Sequence, residues 1–106
     1  MELRDIRKEI DALDEEMAKL FVRRMDCADC VAEAKRGTGK AVLDPGRERE
    51  ILAKVAERVG PALETEGRLL FSTLISISRA RQRARLVDDG KFAKMIADAM
   101  SATPAL

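Results

Sequence analysis

No glycine or proline interrupts the first 36 residues, and this feature governs what the chain can fold into. Over that span Leu3, Ile6, Ile10, Leu13, Met17 and Leu20 advance by alternating steps of three and four. The same rhythm continues through Arg24, Cys27, Val31 and Ala34. Apolar side chains repeated in this way form one seam along a helix, the pattern of a coiled coil. At about 1.5 Å per residue such a helix runs roughly 50 Å. A compact globule of this chain length has a radius of gyration of only about 13 Å. The helix therefore overhangs its own domain, and the overhang predicts a partner helix from a second copy.

Gly37-Thr38-Gly39-Lys40 reads as the loop that ends this helix. Asp44-Pro45 is a second start signal, an N-cap acid before a proline at the first helical position. Ile51, Leu52, Val55 and Val59 mark the buried stripe of a short helix that stops at Gly60-Pro61. A third helix is predicted from near Thr65, with Gly67 the only breaker up to Val87. Its inner face runs through Leu70, Phe71, Leu74 and Ile75 to Ser78 and Gln82. After Asp88-Asp89-Gly90 the pattern returns weakly in Phe92, Met95, Ile96, Ala99 and Met100. The chain of 106 residues amounts to one domain. The expected organisation is a helical domain over 1–87, followed by a tail, linker or short fourth helix over 88–106. The expected fold is all-α, with three helices per chain, one of them very long, intertwined in a helical-bundle homodimer.

Composition narrows the chemistry. Histidine is absent, which removes the commonest general base and metal ligand together with Ser–His and Cys–His nucleophile pairs. No glycine pattern for a phosphate loop or dinucleotide turn occurs. Lys plus Arg number 20 against 19 Asp plus Glu, so the net charge of +1 gives no reason to expect a polyanion. The opening residues are charged, unlike a secretory signal, and no stretch approaches the roughly 20 apolar residues of a membrane span. A soluble cytoplasmic protein is expected, with no nucleic-acid or membrane partner. An enzyme of this composition would have to work through charge and positioning.

Polar residues on faces that should be apolar supply the candidate site. Arg24 occupies a seam position, and Lys35 follows eleven residues later. Eleven steps of about 100° return to within roughly 20° of the same face, about 16 Å along the axis. Two long cationic side chains at that spacing can grip a small anion between them. Ser78 and Gln82 share one stripe of the third helix, and Arg47 and Glu48 lie one turn before Ile51 and Leu52. Each position alone has an ordinary structural explanation: a seam arginine can set register or snorkel, and Ser and Gln are often partly exposed. Jointly they predict a polar pocket inside a helical bundle, because buried cations require a bound anion or carboxylate partners.

Two other patterns carry less. Cys27 and Cys30 form a C-x-x-C string with no further Cys or His for a metal and no strand-to-helix context. They read as ordinary reduced thiols, with Cys27 in the seam. Arg79, Arg81, Arg83 and Arg85 are spaced by two and so spread around their helix. They read as a solvated face that also serves the site rather than a nucleic-acid patch.

Taken in order, these segments resemble the all-helical chorismate mutase family over roughly residues 3–87. The resemblance is carried by Ile6-Arg7-Lys8-Glu9-Ile10-Asp11 with Leu13-Asp14, by Arg23-Arg24, and by Ala34-Lys35. It continues through Asp44-Pro45-Gly46-Arg47-Glu48-Arg49-Glu50, the third-helix stretch from Phe71 to Ser78, and Gln82. It implies rearrangement of chorismate to prephenate on the route to phenylalanine and tyrosine, a concerted Claisen shift that needs no cofactor or metal. It further implies a site lined by Arg7, Arg24, Lys35, Asp44, Arg47, Glu48, Ser78 and Gln82. In that reading Arg24, Arg47 and Ser78 grip the substrate carboxylates, joined by Arg7 from the other subunit. Lys35 and Gln82 donate to the ether oxygen, while Glu48 and the backbone near Asp44 take the ring hydroxyl. Arg7 precedes Arg24 by 17 residues, about 25 Å along the axis and roughly 100° around it, which favours delivery from an antiparallel partner helix. Some members are fused to prephenate dehydratase. Two alternatives stay open on sequence: isochorismate pyruvate lyase, which resembles the same fold, and a non-catalytic helical dimerisation or regulatory module.

Overall fold

The computed structural model describes residues 1–87; the tail over 88–106, with its expected fourth helix, lies outside the described residues. The elements are α1 (Leu3–Lys35), α2 (Pro45–Val59), a short 3-10 helix (Pro61–Leu63) and α3 (Glu64–Val87). The all-α, three-helix expectation holds, and α3 begins one residue before Thr65.

The boundaries follow from local chemistry. At the end of α1 the Arg36 N–H donates to the carbonyls of Ala32 and Glu33, and the chain then turns at Gly37 with φ +74°. That left-handed conformation suits glycine because it lacks a Cβ. The Thr38 hydroxyl donates back to the Lys35 carbonyl at 2.6 Å. At the start of α2 the Asp44 carboxylate accepts the Arg47 N–H at 3.1 Å, and Pro45 occupies the first turn, where no amide partner is needed.

The third helix is the middle element: α1 and α2 each pack on it and not on one another. The core is small. Met25, Ala28 and Ala32 come from α1, Val55 from α2, and Ile75 from α3. Gly67 is buried where α3 meets α2, and a Cβ there would lie 2.9 Å from Val59 Cγ2 and 3.3 Å from Val55 Cγ1. Close helix approach therefore accounts for a residue that otherwise weakens a helix. Farther along, Arg81 holds Asp29 through two hydrogen bonds of 2.9 and 3.0 Å, and Arg85 reaches Glu33 at 3.0 Å. Arg36 also donates to both Glu33 oxygens, at 3.0 and 3.1 Å. These pairs clamp α3 to the last turns of α1.

The other half of α1 has no such neighbour among the described residues. Every residue from 1 to 23 is exposed. On its seam Leu3, Ile6, Ile10, Leu13, Met17 and Leu20 expose between 37% and 60% of their surface. The chain extends 69 × 34 × 22 Å with a radius of gyration of 19.8 Å, as the overhang argument requires. One detail departs from the seam reading. The stripe packed on α3 is Met25, Ala28 and Ala32, one residue on from Arg24, Cys27 and Val31 and so about 100° around the helix. Cys27 is thus exposed rather than packed.

Candidate active site

Because α1 and α2 both lean on α3 without touching each other, a gap remains between them, with α3 as its floor. The gap is a cavity of about 440 Å³, within the usual range for small-ligand sites. From α1 it is lined by Arg24, Cys27, Ala28, Val31 and Lys35, and from α3 by Ile75, Ser78, Arg79 and Gln82. Arg47, Glu48 and Ile51 of α2 form the opposite wall, with Val42 and Asp44 closing one end. Seven of the eight residues singled out in the sequence therefore line one cavity. The eighth, Arg7, lies in the exposed half of α1 and is not among the lining residues.

Each polar group has a definite setting. Lys35 Nζ donates to the carbonyls of Ala41 and Val42 at 2.9 and 3.1 Å, so the ammonium is drawn over the loop that joins α1 to α2. With three N–H donors, a lysine so held keeps one for another acceptor. Gln82 is only 7% exposed. Its Nε2 lies 3.3 Å from the Ser78 hydroxyl, and its buried Oε1 has no hydrogen-bond partner among the described residues. Arg47 Nη1 donates to Glu50 at 3.0 Å, one turn along α2, and Lys54 donates to the same carboxylate oxygen at 3.0 Å. The two cations, Lys54 foremost, hold the Glu50 carboxyl below its ordinary value.

Sequence reasoning gave Arg79 no role of its own, and its setting is specific. Its Nη1 donates to both oxygens of Glu48, at 2.7 and 3.0 Å, across the cavity floor. Spacing by two hid it among Arg81, Arg83 and Arg85. The available signal was its place one residue after Ser78 and four after Ile75, which puts it beside the inner stripe. The cavity holds four cations, Arg24, Lys35, Arg47 and Arg79, against two carboxylates, Asp44 and Glu48. At neutral pH that leaves a charge of +2, matched to a dianion. Apolar side chains of Val31, Val42, Ile51 and Ile75 complete a lining suited to a small, partly apolar dicarboxylate.

Residues 6–83 match the chorismate mutase type II family. The chain belongs to that family. Its activity is accordingly chorismate mutase activity, an isomerisation within aromatic amino acid synthesis, with chorismate as substrate. The chain is 34% identical over 86 residues to a chorismate mutase of Methanocaldococcus jannaschii, covering 79% of this chain and 87% of that one. It is 29% identical over 80 residues to an intracellular chorismate mutase of Mycolicibacterium smegmatis, covering 76% and 73%. A bifunctional chorismate mutase/prephenate dehydratase of Aquifex aeolicus is 41% identical over 54 residues, half of this chain but 15% of that protein. No solved structure matches the chain. Among the described residues, no helix is long and apolar enough to cross a membrane.

Proposed function

We propose that the cavity between α1 and α2 is the active site in which chorismate is rearranged to prephenate, and that two chains build it together. The observation that carries this reading is the set of side chains sharing the cavity: Lys35 and Gln82 within a +2 surround that suits a dicarboxylate. A concerted Claisen shift needs no nucleophile and no proton transfer. Its catalyst must hold a flexible dianion in its compact reactive shape and stabilise charge developing on the breaking ether oxygen.

The residues divide that work. Arg24 and Arg47 grip the carboxylates, with Ser78 donating a further hydrogen bond. Turning toward substrate takes Arg47 away from Glu50, which keeps its bond to Lys54 and so is not stranded. The third N–H of Lys35 serves the ether oxygen. Gln82 Nε2 carries two hydrogens: one stays on the Ser78 oxygen, which leaves the hydroxyl hydrogen for the carboxylate, and the other serves that same ether oxygen. Glu48 and the backbone near Asp44 receive the ring hydroxyl.

The second chain follows from the exposed seam. Fully burying an aliphatic side chain contributes about 1.5–3 kcal/mol, and six lie in a row on the overhanging half of α1. An antiparallel copy laid along that seam buries them and brings its Arg7 toward the cavity to complete the grip on the dianion. We assign residues 1–87 as the catalytic domain and the cytoplasm as its compartment; the relative from Mycolicibacterium smegmatis is named an intracellular enzyme. The test supplies purified protein with chorismate and, separately, isochorismate, with products resolved by mass and no metal or cofactor added. Prephenate from the first is the expected result. Pyruvate released from isochorismate without prephenate from chorismate would point to a lyase, and no turnover of either to a binding module.

A further inference from the structure

We infer that Arg79 is a positioning residue of the mutase, holding Glu48 oriented so that its carboxylate receives the substrate's ring hydroxyl. The inference rests on the mutase reading and adds a residue that composition and spacing left unassigned. Glu48 begins α2 and Arg79 lies on α3, 31 residues apart, yet Nη1 meets both carboxylate oxygens at 2.7 and 3.0 Å. The pair is better shielded than the two ion pairs between α3 and α1: the side chains are 26% and 22% exposed, against 51% and 19% for Arg81–Asp29 and 51% and 45% for Arg85–Glu33. Both of its members line the cavity, whereas Asp29, Glu33, Arg81 and Arg85 do not.

A carboxylate facing a bound dianion is a repulsive element unless it is neutralised and turned to accept from a specific hydrogen. One arginine nitrogen bonded to both oxygens supplies the opposite charge and limits rotation of the carboxylate about its last torsion. Each oxygen still has a second lone pair for a hydroxyl donor. Removing Arg79 leaves a half-buried carboxylate without its partner, and the hydroxyl loses an acceptor fixed in place. Substrates with that hydroxyl then lose their advantage over those without it.

The experiment compares kcat/KM for chorismate and for its analogue lacking the ring hydroxyl in wild type, Arg79→Met, Arg79→Lys and Arg81→Met. The Arg81→Met variant is the matched control, since it removes an ion pair between α3 and α1 of similar length outside the cavity. Arg79→Met is expected to lower kcat/KM for chorismate about 10- to 100-fold more than it lowers the analogue's value, since both lose a cavity cation but chorismate also loses its oriented hydroxyl acceptor. Arg79→Lys should recover part of the loss, and Arg81→Met should leave the ratio of the two substrates as in wild type. In a Glu48→Gln background, removal of Arg79 should add little. An equal loss on both substrates in folded Arg79→Met, or the same change of ratio in Arg81→Met, would overturn the inference. If folded wild type makes no prephenate, the mutase reading fails and this inference with it, an outcome distinct from active wild type with an unaltered ratio in Arg79→Met. Should Arg79→Met not fold, a wild-type ratio in Arg79→Lys overturns the inference, and a ratio shifted toward the analogue supports it.

Discussion

Lys35 shows how much one side chain can combine. It closes α1, ties down the loop to α2 through the Ala41 and Val42 carbonyls, and contributes a cation to the cavity. In Lys35→Ala the helix is kept, since alanine is the best helix former. Loss of one preorganised donor to a developing oxyanion lowers kcat by about 10²–10³-fold. The expected outcome is a protein with wild-type helical circular dichroism and that loss of turnover; retention of most activity by the folded variant would remove Lys35 from the chemistry. Polar residues on apolar stripes were readable from spacing alone, which is why Arg24, Lys35, Ser78 and Gln82 could be singled out. Arg79 could not, because its significance depends on Glu48, which becomes its neighbour only when α2 docks on α3.

At the scale of elements, the start and stop signals were legible: the unbroken opening helix, the Asp44-Pro45 start and the Gly60-Pro61 stop all rest on local backbone chemistry. What periodicity could not separate was the two uses of α1. One long seam of threes and fours serves as an outward apolar face in its first half and as a cavity wall in its second. The stripe that packs on α3 lies about 100° away and is partly made of alanines, which mark a close approach rather than a strong apolar signal. The clamp between α1 and α3 has its own pH signature. Hydrogen bonds from Arg36 and then Arg85 lower the Glu33 carboxyl from 4.5 to about 2, and Arg81 likewise lowers Asp29. A carboxyl depressed in the folded state stabilises it fully above its unfolded pKa, and that contribution fades as pH falls through the folded value. Wild type should therefore melt above Glu33→Gln at neutral pH, with the gap closing between about pH 4.5 and pH 2. These side chains are well exposed, so the gap should also shrink in high salt. Melting temperatures across that range check both; a constant gap would show that the clamp does not stabilise the fold through Glu33 ionisation.

At the scale of the whole molecule, the described residues leave a long apolar edge uncovered. Among the described residues, five apolar ones form the core while six large ones stand exposed along one edge of α1. The same chain leaves its cavity without the arginine that family resemblance assigns to it, because Arg7 sits on the exposed half of the helix. The proposed antiparallel second copy would remedy both, covering the seam and lending its Arg7. That proposal couples stability to catalysis: a change that weakens the dimer would remove the site as well.

The most direct test of this account mixes two inactive chains, Arg7→Ala and Lys35→Ala, unfolds and refolds them together, and measures prephenate formation. Each variant alone spoils both sites of its homodimer. A mixed dimer carries one site with both defects and one site with neither. With random pairing the account predicts recovery of about a quarter of wild-type activity, since half the dimers are mixed and each has one intact site. Mixed dimers verified by mass that turn over no faster than the parents, beside an active wild type, would contradict a site shared between two chains.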